Sequence, residues 1–286
     1  MDDNGYLTAA AIGHVALDIL QTETGANVCG NTSKGLFAVT EKEMILFITH
    51  QKFKGPLSIN INNKVPSHQI LSRETHLLLS PDRIRFIQSG LEIRINPHTY
   101  VWSPMVLNKL DFNLETFFNR SELIGHEMIS QLSNQHQAQE NQPNNNLKSA
   151  LSSRNKVAVY ESLSILLGYG EGLTPSGDDF ICGLLLAAYA WIEILFPGFS
   201  LQKTTRKIVD VAKEKTTTLS ANLIACAASG SADERIIRCL EWLKSGDDSA
   251  VVIMEELLSY GSSSGLDTLA GMLTFIQSSP IINQKC

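Results

Sequence analysis

Several signatures of common enzyme classes are missing from this sequence. Its five cysteines are an odd number and include no CxxC pair, which excludes a regular disulfide framework and fits a reducing compartment. No two histidines have the HxxxH spacing of a helical zinc site. There is no Walker loop. These absences argue against P-loop nucleotide chemistry and a histidine-ligated zinc site.

Long apolar runs and basic stretches are also scarce. The longest apolar stretch, 180–196, contains Glu193 and is short for a clean membrane span. The chain begins Met1-Asp2-Asp3 and lacks the apolar region of a signal peptide. The formal net charge is −6 and no basic stripe is present. We therefore expect a cytoplasmic protein that binds neither membranes nor nucleic acids.

The sequence changes character near residue 112. Residues 1–112 contain short alternating apolar segments separated by Gly, Pro and Asn, which predict a β-rich domain built as a small barrel or sandwich. Residues 113–286 are dominated by helical spacing, including 114–133 and 149–167, and predict an α-helical domain. The polar segment 134–146 between these two helices predicts a flexible loop. The fold class predicted is α+β.

The most informative motif is Gly-Tyr-Gly-Glu-Gly-Leu-Thr-Pro-Ser-Gly-Asp-Asp at 168–179. Its alternating glycines allow left-handed backbone conformations. Thr174 is predicted to cap a helix and Pro175 to open it, which places two aspartates in the first turn. Such a loop exposes backbone N–H groups and is typical of phosphate or carboxylate binding.

A second motif repeats the core of the first. The pattern Ser-Gly-x-Asp-x-x-x-Gly occurs at 176–183 and again at 264–271, each time between a small-residue loop and an apolar run. Each Asp lies one helical turn before a Gly on the same face. Two interpretations remain open. The paired loops form a ligand site, or two similar helix starts simply pack against each other, with Gly183 and Gly271 where they cross.

The polar segment 215–222 is unusually rich in Thr and Ser for a helix start. The hydroxyls of Thr216, Thr217 and Ser220 are candidates to face the two loops and hold a ligand or a water molecule. The alternative interpretation is an ordinary helix start capped by one threonine.

Together, the two motifs and the segment 216–222 resemble a bacterial family of domains of unknown function that includes the AllH-type subunit of oxamate carbamoyltransferase. The resemblance is strong over the helical half and weak over the β half. The positions that match are Gly168, Gly170, Gly172, Thr174, Ser176, Gly177, Asp178, Asp179, Ser264, Gly265 and Asp267.

The resemblance implies a cytoplasmic carbamoyltransferase subunit of allantoin catabolism. It exchanges oxalurate and phosphate for oxamate and carbamoyl phosphate, and it works with larger partner subunits. We assign candidate catalytic roles to Asp179, Asp267 and Ser176. The candidate substrate-binding residues are Gly170, Gly172, Thr174, Gly177, Ser264, Gly265, Thr217 and Ser220. Backbone N–H groups of residues 172–178 are expected to bind the anion and a tetrahedral oxyanion.

The carboxylates raise a difficulty, because they repel a phosphate unless a cation intervenes. Two explanations stay open. A Mg²⁺ ion bound by Asp178, Asp179 and Asp267 bridges protein and substrate, or the aspartates cap their own loops, a role we favour for Asp178. Two alternatives to the carbamoyltransferase also stay open. One is a non-catalytic interaction subunit, and the other is a Mg²⁺-dependent enzyme acting on another small molecule.

Overall fold

The computed structural model describes residues 6–63, 75–104, 113–134 and 142–282. The chain divides into two compact units, Met1–Pro104 and Met105–Cys286. The predicted boundary at residue 112 lies outside the described residues. Among the described residues, no helix is both long enough and apolar enough to cross a membrane.

The first unit is a closed β-barrel. Around the ring the strands follow the order β5-β4-β3-β2-β6-β7-β8-β1, β1 pairs with β5 to close it, and β9 adds to β1. The strands are β1 Leu7–Gly13, β2 Gly25–Asn31, β3 Gly35–Thr40, β4 Ile45–Thr49, β5 Ser58–Ile61, β6 His76–Ser80, β7 Arg83–Phe86, β8 Glu92–Arg94 and β9 Tyr100–Trp102. Closure leaves fewer strand edges unpaired. Of the two predicted architectures, the barrel is confirmed.

The interior of the barrel is mainly aliphatic. Alternate residues along each strand point inward, as in the buried–intermediate alternation of β3. Its fully buried side chains include Ile12, Leu36, Leu46, Ile48, Ile59, Leu77 and Phe86. One helix, α1 (His14–Thr22), follows β1 and was not expected from the sequence, although Ala16, Ile19 and Leu20 give it a buried face.

The second unit is helical, as predicted. Its helices are α2 Leu114–Asn134, α3 Gln142–Ser152, α4 Lys156–Leu166, α5 Ser176–Leu195, α6 Gln202–Lys215, α7 Thr218–Ala228, α8 Glu234–Ser245, α9 Ala250–Leu258 and α10 Ser264–Gln277. Aromatic side chains fill its core, with Phe117 edge-on to Trp191 at 4.8 Å between ring centroids and Phe196 against Phe275 at 4.9 Å. An α+β fold, β-barrel first and helices second, is therefore confirmed.

Two helix boundaries differ from the sequence prediction. Helix α3 begins at Gln142, inside the segment 134–146 predicted as a loop; residues 135–141 of that segment lie outside the described residues. A proline in the first turn suits a helix start, and the buried Leu147, Ala150 and Leu151 hold α3 in place. The predicted helix 149–167 is two helices, because Arg154 adopts a φ of 56° and Asn155 caps α4.

The central contact of the helical unit is the crossing of α5 and α10. A Cβ added to Gly183 would lie 1.8 Å from the carbonyl oxygen of Thr268, and one added to Gly271 would lie 1.9 Å from that of Phe180. Each helix therefore presses its backbone onto the other through a glycine. The relation is reciprocal, because Phe180 and Thr268 each follow the motif aspartate by one residue. The packing interpretation predicted that the two helices cross at Gly183 and Gly271, and this crossing is present.

We expect Gly183→Ala and Gly271→Ala to destabilise the protein by about 3 kcal/mol or more, because neither backbone carbonyl can retreat from the new methyl group. Chemical denaturation followed by circular dichroism measures the loss. Gly125→Ala is the matched control, since its Cβ would meet only Leu273 at an ordinary 3.7 Å. That change should be neutral or stabilise α2 by about 0.5–1 kcal/mol. Equal effects at all three positions would contradict the close crossing.

Candidate functional site

The close crossing brings the starts of α5 and α10 together. The first loop, residues 167–175, leads into α5, and the second loop, residues 259–263, leads into α10. The Thr174 and Ser264 hydroxyl oxygens lie 3.1 Å apart and share a hydrogen bond. Asp179 and Asp267 occupy equivalent positions in the two first turns, 88 positions apart in sequence (from 179 to 267). We call Thr174, Asp179, Ser264 and Asp267 the paired site.

The first loop has the backbone conformation predicted from its glycines. Gly168, Gly170 and Gly172 have φ values of 73°, 112° and 96°, all in the left-handed region. The predicted cap is wrong, however. Pro175 occupies the N-cap position without a side-chain hydrogen bond, and Asp178 and Asp179 donate their N–H groups to its carbonyl oxygen. The Thr174 hydroxyl is thereby left to face Ser264 instead of its own helix.

Asp178 holds the first loop in place. It is 1% exposed, its Oδ1 accepts the Gly168 N–H at 2.8 Å, and its Oδ2 accepts the Thr216 hydroxyl. Burial raises the pKa of this carboxyl, while the Gly168 N–H and the Thr216 hydroxyl act in the opposite direction. These are the contacts of a residue that caps its own loop, with both oxygens already used inside the protein.

The hydroxyls of the segment 216–220 also serve the first loop. Thr217 caps α7 by accepting the Ser220 N–H at 3.1 Å, and it donates its hydroxyl to the Leu173 carbonyl at 2.7 Å. Ser220 is buried and lies close enough to Asp178 to favour the charged carboxylate. Because its hydroxyl binds a protein atom, we reassign Thr217 from substrate binding to positioning the loop. The Ser220 Oγ is buried and has no hydrogen-bond partner among the described residues.

A buried ion pair holds the second loop. Arg235, 6% exposed, donates to Asp233 at 2.8 Å and to the Ser259 carbonyl at 2.8 Å, and its guanidinium stacks on the Tyr260 ring at 5.0 Å. The sequence did not reveal this residue, since a buried arginine has no local signature. The only available signal was Asp233, a helix-capping residue directly before α8.

Three further predicted site residues have packing roles in the structure. A Cβ on Gly177 would lie 2.1 Å from the Leu166 carbonyl oxygen, and one on Gly265 would lie 2.0 Å from that of Leu257. Each glycine lets its helix start against the end of the preceding helix. Ser176 makes one long hydrogen bond of 3.4 Å, from its hydroxyl to the Tyr169 carbonyl. Among the described residues, the Ser176 hydroxyl makes no hydrogen bond to a member of the paired site, in contrast to the Ser264 hydroxyl.

The electrostatics of the paired site are unusual. Asp179 is 3% exposed, and burial raises its pKa to about 7. The hydroxyls of Ser264 and Thr174 oppose this shift, whereas the negative charges of Asp267 and Asp178 add to it. Burial also raises the pKa of Asp267, with the Ser263 hydroxyl opposing it. Asp179 is therefore a carboxyl group that exchanges a proton near neutral pH.

Both carboxylates of the paired site have an oxygen left over. The Oδ2 atoms of Asp179 and Asp267 are buried and make no hydrogen bond within the described part of the chain. A buried acceptor without a donor is costly. These two atoms are unpartnered acceptors at the starts of α5 and α10.

The predicted Mg²⁺ ligand set does not assemble. Within the ranges that the structure describes, no three His, Cys, Asp or Glu side chains are grouped so that they could hold a metal ion. The reason is that both oxygens of Asp178 face the Gly168 N–H and the Thr216 hydroxyl. The prediction of Asp178, Asp179 and Asp267 as a three-carboxylate metal site was wrong.

The structure also changes the predicted set of anion-binding groups, the backbone N–H groups of residues 172–178. The N–H groups of Gly177 and Asp178 are bonded to the carbonyl oxygens of Tyr169 and Pro175, both at 2.9 Å. They are thus unavailable to a ligand. The exposed apex of the first loop, residues 170–173, is different, because the N–H groups of Gly172 and Leu173 donate to no protein acceptor in the described residues.

Comparison with known families agrees with the motifs. Residues 166–276 match a family model described as oxamate carbamoyltransferase subunit AllH. The matched span begins at the end of α4, contains both loops and the paired site, and ends within α10. The resemblance predicted from the two motifs is thereby confirmed for this part of the helical unit. No solved structure matches the chain.

We expect the stability of the protein to fall as pH rises from about 4 to about 7. Folded Asp179 keeps its proton up to about pH 7, whereas the unfolded residue loses it near pH 3.8. The folded state binds more protons in this window, so ionisation favours unfolding. Asp179→Asn removes the effect and should stabilise the protein at pH 8 by up to about 4 kcal/mol, the equivalent of three pKa units.

Urea unfolding of both proteins at several pH values between 4 and 8 measures this difference. The exposed Asp247 provides the control, because Asp247→Asn should leave the pH dependence of the wild type unchanged. A constant stability difference between wild type and Asp179→Asn across this range would show that Asp179 is ionised throughout.

Proposed function

We propose that this chain is a subunit of an oxamate carbamoyltransferase-like enzyme and binds a small anionic substrate at the starts of α5 and α10. The observation that carries the proposal is the paired site itself. The crossing brings two aspartates with spare buried oxygens to the hydroxyl pair of Thr174 and Ser264, within the span that matches the AllH model. Packing alone accounts for the glycines but not for the unpartnered carboxylate oxygens.

The reaction needs a group that moves a proton. When the carbamoyl group passes from oxalurate to phosphate, a phosphate oxygen bonds to the carbamoyl carbon, and the bond from that carbon to the oxamate nitrogen breaks. The leaving nitrogen takes up a proton, and hydrogen phosphate gives one up. A carboxyl group with a pKa of about 7 can accept the proton that hydrogen phosphate loses and deliver a proton to the leaving nitrogen. We assign this role to Asp179, whose pKa is raised by burial and further by the charge of Asp267.

The anionic end of the substrate requires donors, which the paired carboxylates cannot supply. In our proposal the N–H groups of Gly172 and Leu173 bind it, together with the hydroxyls of Thr174 and Ser264. Backbone N–H groups held by left-handed glycines suit an anion. The partial positive charge at the starts of α5 and α10 adds to this attraction. No metal ion is required for this arrangement.

A non-catalytic interaction subunit is the second candidate. It is favoured by two large apolar side chains on the first loop, Tyr169 and Leu173, which are 57% and 54% exposed. Apolar side chains beside a binding site are typical of surfaces that a partner protein covers. In this alternative the larger partner subunits supply the chemistry, and the paired site shapes the interface.

We expect phosphate and carbamoyl phosphate to raise the melting temperature of the wild-type chain by several degrees at saturating concentration, because they bind only the folded state. Ser264→Ala removes one hydroxyl of the anion site and should reduce both shifts. Ser262→Ala, a substitution of the same kind on the exposed second loop, should leave them unchanged. Differential scanning fluorimetry at constant ionic strength makes the measurement. No shift with any ligand would favour the interaction subunit.

For the complete enzyme with its partner subunits, we expect Asp179→Asn to lower kcat for oxalurate phosphorolysis by about 100-fold or more, and Asp267→Asn, which removes a neighbouring charge, to lower it less. The loss expected at Asp179 is the usual contribution of acid–base catalysis. Colorimetric detection of phosphate consumption measures the rate, and circular dichroism checks the fold. Asp247→Asn is the matched control and should retain full activity. Normal rates in both variants would remove the catalytic roles assigned to the paired site.

A further inference from the structure

A small cavity adjoins Asp179 on the side of α7 and α8. Its polar lining consists of Asp179, Ser231, Asp233, Tyr260 and Thr268, and the rest is mainly aliphatic. It is not fully enclosed and has room for about one water-sized group. Because Asp179 belongs to both, the cavity extends the paired site inward.

Two oxygen atoms in this lining have no hydrogen-bond donor. The Asp179 side chain is 3% exposed and the Ser231 side chain 2% exposed, and in the described residues neither Asp179 Oδ2 nor Ser231 Oγ has a partner. Two of the three other polar side chains in the lining, those of Asp233 and Thr268, are already occupied. Asp233 binds Arg235 at 2.8 Å, and the Thr268 hydroxyl donates to the Ser264 carbonyl at 2.7 Å. The cavity thus presents two buried acceptors and a space of one small group between its walls.

The charge of the lining decides what kind of group fits. Among the described residues that line the cavity there is no Lys, Arg or His, and its two charged members are carboxylates. An anionic group would be repelled and left without a counter-charge in a buried place. A neutral group that carries two N–H donors satisfies both acceptors at once.

We propose that this cavity receives the terminal NH₂ group of a primary amide, with Asp179 Oδ2 and Ser231 Oγ each accepting one N–H. The proposal rests on the proposed function and assigns the two ends of the substrate. The amide end enters beside Asp179, and the anionic end stays at the exposed N–H groups of the first loop. Separation of this kind removes the repulsion between the carboxylates and an anionic substrate.

Oxamate and oxalate provide the test, because they have the same size and differ only in an NH₂ group replaced by a charged oxygen. Their affinities for the wild-type chain are measured by thermal-shift titration, with phosphate as a reference ligand. We expect wild type to prefer oxamate. Ser231→Ala should weaken oxamate binding by about 3- to 10-fold, the usual value of one hydrogen bond. Oxalate and phosphate binding should be unaffected.

Two further variants complete the design. Asp179→Asn replaces the acceptor by a donor and removes a charge, so the preference for oxamate over oxalate should disappear. Ser229→Ala, in an exposed serine two positions from Ser231, should bind both ligands as wild type does. The melting temperature of each variant without ligand verifies that it folds.

The outcomes separate this inference from the proposed function. If phosphate binds but oxamate and oxalate bind equally, or if the preference survives in both cavity variants, the inference is overturned and the anion site stands. In that case the cavity holds only a structural water molecule. If neither phosphate nor oxamate binds, both the inference and the proposed function fail.

Discussion

The contact on which the helical unit depends is backbone against backbone, at Gly183 and Gly271. It lets α5 and α10 approach until a methyl group on either glycine would collide with a carbonyl oxygen of the other helix. At a usual interhelical distance of 8–10 Å, set by larger side chains, the two first turns would lie farther apart. The hydroxyl pair of Thr174 and Ser264, and the mutual influence of Asp179 and Asp267, both follow from this approach.

The buried carboxyl groups of the paired site lower the stability of the folded protein, although they are the groups best suited to chemistry. Two carboxyl groups with raised pKa values, each with an unpartnered buried oxygen, disfavour the folded state at neutral pH. Helix N-termini moderate the effect, because their partial positive charge favours a carboxylate. The surrounding core, with Trp191, Phe196 and Phe275 fully buried, supplies the remaining stability. Strain that persists inside a well-packed core is typical of a site selected for function.

The sequence predicted the features that depend on neighbouring residues, and it missed those that depend on distant ones. Alternation and turn residues predicted the barrel half, and the glycine spacing predicted the left-handed loop. The repeated Ser-Gly-x-Asp-x-x-x-Gly pattern predicted the crossing of two helices. The roles of Asp178 as a loop cap and of Thr216 as a hydroxyl facing the first loop were among the predictions. The buried Arg235 and the cavity at Ser231 could not be predicted, since each arises where segments tens of residues apart in sequence meet. The wrong metal set has the same origin, because the spacing of three aspartates does not reveal which way Asp178 turns.

The separation of the two aspartates along the chain has a consequence for synthesis. Helix α10, which carries Asp267, follows the barrel and α2–α9 along the chain, so the ribosome has made the barrel and eight of the helical unit's nine described helices before α10 can emerge. Until then α5 exposes the apolar face and the glycine that α10 later covers. A nascent chain that lacks α10 therefore carries the complete first motif, with Thr174 and Asp179, but it lacks Ser264 and Asp267, the other half of the paired site.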